Sequence, residues 1–152
     1  MGEGKKQTLR INFDRKLKLE FHGSKITSDA GLLAYRELDN ALGLTEIAED
    51  LLSDVRTDKN TQHSMLAMFR QSVYGRLGGY EDLNDAERLR VDSTMRHVVG
   101  GRAIDKSAAS TSEMGRFETG IISQRENVKF LMSLPGKFVD KVHTYKKLKK
   151  LM

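Results

Sequence analysis

The side chains that could react with a ligand or hold a metal ion are thinly spread along this sequence. The four histidines, His22, His63, His97 and His143, have none of the short spacings that place two imidazoles on one metal ion. Cysteine is absent, which excludes disulfides and thiolate metal sites. No serine, histidine and acid follow a spacing that indicates nucleophilic catalysis. The residues alone therefore do not predict a free-standing enzyme.

Three acids, Glu81, Asp82 and Asp85, are the best candidates for acid–base chemistry or for a metal site. They lie where a helix is predicted to begin, and carboxylates at that position cap free N–H groups and favour the helix dipole. We therefore prefer a capping role for them. The glycine-rich stretch 75–79 does not predict a phosphate-binding loop, because it lacks a preceding strand and a following Lys-Ser/Thr pair.

A stretch of small polar residues offers a possible contact with DNA. A short helix at residues 93–99, a glycine-containing turn and a second short helix within residues 107–118 have the outline of a helix-turn-helix. Hydroxyls and free N–H groups at the start of the second helix could bind phosphate, and Arg116 lies one turn further on. The alternative is a structural helix with Met114 and Phe117 in the core. The predicted DNA contacts are Arg102, Lys106, Ser110, Thr111 and Arg116.

The basic residues collect at the two ends of the chain. The net charge is +4 over residues 1–25, −4 over residues 26–106, zero over residues 107–136 and +5 over residues 137–152. Basic ends can follow a phosphate backbone, and they can equally serve as solubilising tails. The candidates for non-specific phosphate contacts are Lys16, Lys18, Lys146, Lys147, Lys149 and Lys150.

Length and composition predict one soluble domain. The 152 residues are 38% hydrophobic and 31% charged, which indicates a modest core under a heavily charged surface. No apolar run approaches the roughly 18 residues that span a bilayer, and Met1 to Arg10 do not resemble a signal peptide. A cytoplasmic location is the default expectation.

The elements that must position these residues are mainly helical. Residues 9–13 and 17–21 alternate apolar and polar side chains around Asp14-Arg15-Lys16, which predicts a β-hairpin over residues 9–21. We expect a disordered N-terminus at residues 1–8, a helical domain at residues 9–145 and a basic tail at residues 146–152. The fold class is mainly α, a multi-helix DNA-binding domain with a short N-terminal hairpin and a helix-turn-helix-like segment.

Apolar spacing and breakers set the expected helix boundaries. The central helix, residues 61–77, has the densest apolar pattern and should form the core around which shorter helices collect. The helix before it should begin at Thr27-Ser28-Asp29, end at Gly43 and point Leu32, Leu33, Tyr35, Leu38 and Leu42 inward. Before and after the central helix we expect a short helix capped by Thr45, a helix from Asp82 or Asn84 to Val91 and a helix capped by Asp92 or Ser93. A connection at residues 102–107 should lead to a helix at residues 108–117 that is closed by Gly120. The chain should end with a helix at residues 126–133, a break at Pro135-Gly136 and a last helix from Phe138 into the C-terminal lysines.

Three segments of the sequence resemble the N-terminal region of bacterial insertion-sequence transposases of the DDE type. Residues 27–39, TSDAGLLAYRELD, resemble the family's D-x-G-x-L-L-x-R-E-L-D. Residues 70–75, RQSVYG, and 79–90, GYEDLNDAERLR, resemble R-Q-R-V-Y-x-I and G-Y-E-D-x-N-D-x-x-x-L-R, the most specific segment. Residues 109–118, ASTSEMGRFE, are similar to S-Q-P-T-L-S-R-F-E.

The resemblance covers roughly residues 16–143 and departs from the family's pattern at two positions. Ser112 replaces the usual proline and Glu113 the usual threonine. In such transposases a ribonuclease-H-like domain follows, with carboxylates that hold two divalent metals for strand cleavage. The strand with the first catalytic aspartate begins at about Leu151-Met152, so no residue here matches the catalytic set. The resemblance thus implies a truncated transposase of a mobile element, with no cofactor in this chain.

The function implied by the resemblance is binding of the element's terminal inverted repeats in DNA transposition, without catalysis by this chain. Three alternatives stay open. The chain, which we expect in the bacterial cytoplasm in association with the nucleoid, could be a stand-alone DNA-binding regulator. It could be a protein-interaction module that docks on full-length transposase, or on itself, and inhibits assembly. It could also be a non-functional remnant.

Overall fold

The computed structural model describes residues 8–20, 29–56 and 61–151. Within these ranges the fold is mainly α, as predicted, and no described helix is long and apolar enough to cross a membrane. The disorder predicted for residues 1–7 and the capping roles of Thr27 and Ser28 lie outside the described residues, whereas Thr8 belongs to a strand. The helices are α1 (Gly31–Leu42), α2 (Ile47–Leu51), α3 (Met65–Leu77), α4 (Asp85–Leu89), α5 (Ser93–Val99), α6 (Arg102–Asp105), α7 (Thr111–Arg116) and α8 (Arg125–Leu151).

Two short strands, β1 (Thr8–Arg10) and β2 (Lys18–Glu20), pair in antiparallel register with Leu9 opposite Leu19. Each strand has three residues, so most of the predicted 9–21 span is not strand. The segment after β1 rests on α1, because the Glu37 carboxylate accepts hydrogen bonds from the backbone N–H groups of Asn12 (2.8 Å) and Phe13 (3.2 Å). Ile11 beside them is buried.

Helix α3 forms the middle of the core. It begins at Met65, four residues later than predicted, because Ser64 caps it by accepting a hydrogen bond from the Ala67 N–H (3.1 Å). One hydrophobic cluster joins α3 to α2, α7 and α8 through Met68, Phe69 and Phe130 among others. A second cluster joins α3 to α1 and α5. The shorter helices therefore collect on α3 from both sides.

The predicted break at Pro135-Gly136 is wrong, since α8 runs without interruption from Arg125 to Leu151. A proline inside a helix removes one hydrogen bond to the carbonyl four residues earlier. Pro135 is exposed, so water can reach the carbonyl that its missing N–H leaves free. Both halves of α8 are also held by the rest of the fold: Phe130 lies in the core, and Lys141 Nζ donates a hydrogen bond to the Gly43 carbonyl (2.7 Å).

Two other boundaries differ from expectation. The predicted connection at residues 102–107 contains helix α6, whose carbonyls at Ala103 and Ile104 accept hydrogen bonds from the Arg96 guanidinium. Gly120 does not end a helix, because it lies inside a π-helical turn, Phe117–Ile122, that joins α7 towards α8. The hydrogen bonds from the Arg96 side chain to α6 are not visible in the local sequence pattern, so the helix was not predicted.

Helix α1 ends as predicted, at Gly43 in the left-handed conformation (φ 63°). Its predicted inward face is partly wrong: Leu32 is buried, but Tyr35 and Leu38 are 55% and 52% exposed. Thr45 does not cap α2 either, because both its N–H and its hydroxyl bind Asp39 instead.

Candidate nucleic-acid interface

Asp39 is the centre of a buried polar cluster, which we call the Asp39 network. Its Oδ1 accepts a hydrogen bond from the Thr45 N–H (2.7 Å), and its Oδ2 accepts from the Thr45 hydroxyl (2.5 Å) and the Tyr74 hydroxyl (3.0 Å). Arg36 Nη1 lies 3.4 Å from Oδ2, and Arg70 Nε donates to the Thr45 hydroxyl oxygen (2.9 Å). Burial, together with Asp39, raises the pKa of Tyr74 and keeps it a neutral donor. The network ties α1 and the start of α2 to α3.

Gln71 fixes the chain just before α7. Its amide donates to the Ala109 carbonyl (2.7 Å) and accepts from the Ala109 N–H (2.8 Å), and both residues are buried. Tyr80 likewise fixes the chain just before α1, since its hydroxyl lies 2.9 and 3.0 Å from the two carboxylate oxygens of Asp29. The side chains that carry the resemblance therefore assemble the fold.

The acids at residues 81–85 have local partners. Asp82 Oδ1 accepts a hydrogen bond from the Asn84 N–H (2.8 Å), and Asp85 lies in the first turn of α4, 4.0 Å from Arg88. Glu81 is exposed. Asp82 thus binds the N–H of Asn84, the residue before α4, but α4 itself has no side-chain cap, and it is shorter than expected and ends at Leu89.

Divalent metals are implied by the resemblance only for a catalytic domain. Within the described ranges, no three His, Cys, Asp or Glu side chains lie close enough together to hold a metal ion. The described residues therefore do not fit such a group, and no reaction step can be derived through it.

The N-terminus of α7 is occupied by its own side chains. Ser110 and Glu113 form a capping box in which the Glu113 Oε2 accepts from the Ser110 N–H (2.8 Å) and hydroxyl (2.7 Å). Burial acts to raise the pKa of Glu113, but the two hydrogen bonds from Ser110, with His63 and Arg116, lower it on balance. The Ser110 hydroxyl is thus engaged, and Thr111 beside it is half-buried. Their roles as phosphate ligands stay predictions.

Arginines fall into two groups by their partners. Seven of the nine between residues 36 and 116 hydrogen bond or ion pair with described residues: Arg36, Arg56, Arg70, Arg76, Arg88, Arg90 and Arg96. Arg102 and Arg116 have neither kind of contact within the described part of the chain, and both are exposed. These two were selected from the sequence as DNA contacts.

Arg102 and Arg116 lie at two adjoining cavities that share Gln62. The first, which we call the His63 cavity, has a volume of about 380 Å³. It lies between the start of α3 and the turn before α6, and its lining includes Gln62, His63, Arg70, Gly100, Gly101 and Arg102. The second, the Arg116 cavity, has a volume of about 460 Å³, and its lining includes Arg56, Gln62, Glu113 and Arg116.

His63 lies between these cationic groups and is only 6% exposed. Burial lowers the pKa of its imidazole; Glu113 acts in the opposite direction, while Arg102, Arg90 and Arg56 add to the lowering. Its Nε2 is 3.7 Å from Glu113 Oε1. Sequence reasoning missed the contributions of Arg56 and His63 to this site, because both belong to an irregular segment without periodicity.

The other predicted DNA contacts lie in separate places. Lys106 is exposed directly after α6, and Lys16 is exposed in the turn between the two strands. Lys146, Lys147 and Lys149 are exposed near the end of α8, and Lys149 Nζ lies 5.7 Å from the Tyr145 ring centroid. Lys18 is in β2 and Lys150 in α8, and their side chains lie outside what the structure describes.

The two helices of the predicted helix-turn-helix, α5 and α7, pack mainly on different neighbours. Helix α5 packs mainly on α1, α3 and α6, whereas α7 packs mainly on α4 and the π-helical turn. The helix-turn-helix-like arrangement of α5 and α7 therefore stays a prediction.

Comparison with known proteins assigns the chain to a family. The family model described as Transposase DDE domain group 1 matches residues 9–152. Searches of curated proteins and of solved structures found no match. Since the family match spans nearly the whole sequence, the chain belongs to the family of DDE transposase domains of group 1.

Proposed function

We propose that this chain is a DNA-binding and assembly part of a DDE transposase, which recognises the terminal inverted repeats of its element. The observation that carries the proposal is the pair of exposed arginines, Arg102 and Arg116, which make no hydrogen bond or ion pair with the described residues. They lie at adjoining cavities, and Lys106 is exposed nearby in sequence. Guanidinium groups without a carboxylate partner are available for phosphate and base edges.

Charge distribution supports this assignment. Residues 26–106 have a net charge of −4, so carboxylates outnumber cations in this part of the chain. Arg36, Arg76 and Arg90 each pair with a carboxylate. Because Arg102 lacks such a partner among the described residues, binding DNA would not require an existing ion pair to break.

The proposal gives this chain no strand-cleaving activity. Its support is the use of the carboxylates in the family-like segments: Asp39 and Glu113 accept several hydrogen bonds each, and Asp29 accepts from Tyr80. A carboxylate committed to such bonds is poorly placed to bind a metal ion.

An apolar surface favours a second candidate, a protein-interaction module acting on transposase. Tyr35, Leu38 and Leu77 are each more than half exposed and line a cavity of about 250 Å³ with Leu134 and Phe138. Exposed apolar patches of this kind often mark protein contacts. Capture of a separately purified transposase catalytic domain, in the absence of DNA, would support it; abolition by Leu38→Glu would locate the contact.

Fluorescence anisotropy tests the DNA-binding proposal. The purified chain is titrated with the element's terminal repeat and with a scrambled duplex, at low and at physiological salt. We expect preference for the repeat to survive at physiological salt. The double variant Arg102→Gln/Arg116→Gln should weaken binding about tenfold or more. The slope of the logarithm of the binding constant against the logarithm of salt concentration should fall in magnitude by roughly one per lost phosphate contact.

The matched control is Arg125→Gln, which removes an exposed arginine at the start of α8. This variant should bind as the wild type does. Equal, salt-sensitive binding of both duplexes would mean that the basic ends act alone, and it would contradict repeat recognition.

A further inference from the structure

We propose that the His63 cavity is a phosphate-binding site, which receives a backbone phosphate of bound DNA. This inference rests on the proposed function for the source of the phosphate. The site itself is defined by side chains and backbone of three different segments: the start of α3, the Gly100-Gly101 turn and the start of α6.

The lining of the cavity is cationic or neutral throughout. Arg70 and Arg102 contribute guanidinium groups, His63 contributes an imidazole, and no aspartate or glutamate is present among the described lining residues. The acidic neighbour Glu113 lines the adjoining Arg116 cavity and directs Oε2 to Ser110. Arg70 is already paired with Asp39 (3.9 Å) and Glu46 (3.8 Å), whereas Arg102 has no ion pair with the described residues. An unpaired guanidinium at a cavity without a carboxylate in its described lining favours an anionic ligand.

His63 supplies a second, independent indication. Its side chain is 94% buried and lines the cavity, and its ring nitrogens make no hydrogen bond with the described residues; the carboxylate beside it is Glu113, whose Oε1 lies 3.7 Å from Nε2. The ring nitrogens are not fully enclosed, so an oxygen of a ligand in the cavity can reach them. A phosphate oxygen can accept a hydrogen bond from the neutral ring or from the protonated one.

The turn before α6 leaves open space at the cavity. Gly100 and Gly101 have φ of 79° and 58°, a conformation that glycine adopts at little cost, and the Gly100 N–H donates to the Arg96 carbonyl (3.0 Å). A Cβ at Gly101 would have no neighbour within 4 Å, so the space beside this residue is open. Ser64 begins α3, a 13-residue helix whose positive dipole end lies at the same cavity.

Amide NMR spectra of the full chain test the site without DNA. Inorganic phosphate is added, with chloride at matched ionic strength as the control. We expect saturable shifts of the Gly100, Gly101 and Arg102 amides with phosphate alone. Arg102→Gln should weaken phosphate binding about tenfold, and Arg125→Gln should leave it unchanged.

A second arm identifies the source of the phosphate. Duplexes with one methylphosphonate, which removes a single backbone charge, are scanned by anisotropy against wild type and Arg102→Gln. At one position the neutral linkage should weaken wild-type binding about tenfold and weaken Arg102→Gln binding much less, because the partner charge is already gone. The variant His63→Gln should give the same pattern. If the loss of this buried side chain prevents folding, Arg102→Gln still tests the proposal, because Arg102 is exposed.

The two arms separate the two proposals. Absence of saturable amide shifts with phosphate overturns the site, even if the duplex binds. If the losses of binding free energy from the methylphosphonate and from Arg102→Gln are additive at every duplex position, the cavity does not receive a DNA phosphate. Phosphate binding without any duplex binding supports the site and overturns the proposed DNA-binding function.

Discussion

Two arginine-containing regions of this protein meet at Arg70 and are built in opposite ways. In the Asp39 network, Arg36 and Arg70 are buried against one carboxylate that also accepts from Thr45 and Tyr74. In the His63 cavity, the described lining contains guanidinium groups and no carboxylate. The first region pairs both of its guanidinium groups with Asp39, whereas the second also contains Arg102, which has no ion pair with the described residues. Arginine content alone therefore does not locate a binding surface; the partners of each arginine do.

The comparison also separates two kinds of family-like residue. Asp39, Arg70, Gln71 and Tyr74 all belong to segments that resemble transposases, and all make buried hydrogen bonds that hold helices together. Arg102 lies outside those segments. Arg116, by contrast, lies in the family-like segment 109–118 and has no ion pair with the described residues. A motif can thus identify a family largely through residues that build its fold.

The largest expected effect comes from breaking the Asp39 network. Asp39→Asn removes the buried carboxylate that pairs with Arg36 and Arg70 and leaves Arg70 with the exposed Glu46, so it should lower the free energy of unfolding by about 3–5 kcal/mol. Urea denaturation measures it. Asp85→Asn is the control, because its pair with Arg88 is exposed and should contribute about 0–1 kcal/mol. Similar losses in both variants would mean that the network is not a major source of stability.

Gln71→Leu should have the next largest effect. It leaves the N–H and C=O of Ala109 buried without their partners and should cost about 2–3 kcal/mol of unfolding free energy. Amide hydrogen exchange should accelerate at Ala109 and through α7 before it does in α5. A uniform acceleration across both helices would contradict a local role for Gln71.

The pH dependence of stability should report on His63. Because the native pKa is lowered from 6.5, the unfolded chain binds a proton before the native chain does, so stability falls as pH decreases through about 6.5 towards the native pKa. The charged groups that face the ring are Glu113 from α7, Arg102 from α6, Arg90 after α4 and Arg56 from the loop before α3.

Unfolding curves measured at intervals between pH 7.5 and 5 check this expectation. The slope in that window should be smaller for His63→Gln than for the wild type. An unchanged slope would show that other groups carry the pH dependence.

The smallest effect on stability is expected at the His63 and Arg116 cavities. Arg102→Gln and Arg116→Gln should each change the free energy of unfolding by less than about 0.5 kcal/mol, because neither side chain has a partner to lose among the described residues. Thermal and urea denaturation test this. A loss above 1 kcal/mol in either variant would show a structural role and remove the contrast with the Asp39 network.

Part of this arrangement could be predicted from sequence. Apolar spacing located α3, and Gly43 and Asp92 marked the end of α1 and the start of α5, since these features act within a few residues. The continuation of α8 through Pro135 could not be predicted, because it depends on distant contacts such as Lys141 with Gly43.

The candidate site was predictable to a lesser degree. Arg102 and Arg116 were selected for their positions near a predicted turn and helix, and the structure places them at adjoining cavities. His63 and Arg56 come from a segment far away in sequence and reach the same place only through the packing of α3 against α5. Long-range contacts of this kind leave no local pattern to read.

The length of α8 has a consequence for the size of the proposed DNA site. Its 27 residues extend about 40 Å at 1.5 Å per residue, and exposed lysines lie near its far end. One turn of B-form DNA occupies about 34–36 Å. Lys147 lies 22 residues after Arg125, about 33 Å along the helix, so a duplex that touched both the start of α8 and Lys147 would extend over about one helical turn. The affinity should then be lower for duplexes shorter than one turn than for longer ones, because only a longer duplex can contact both ends of α8.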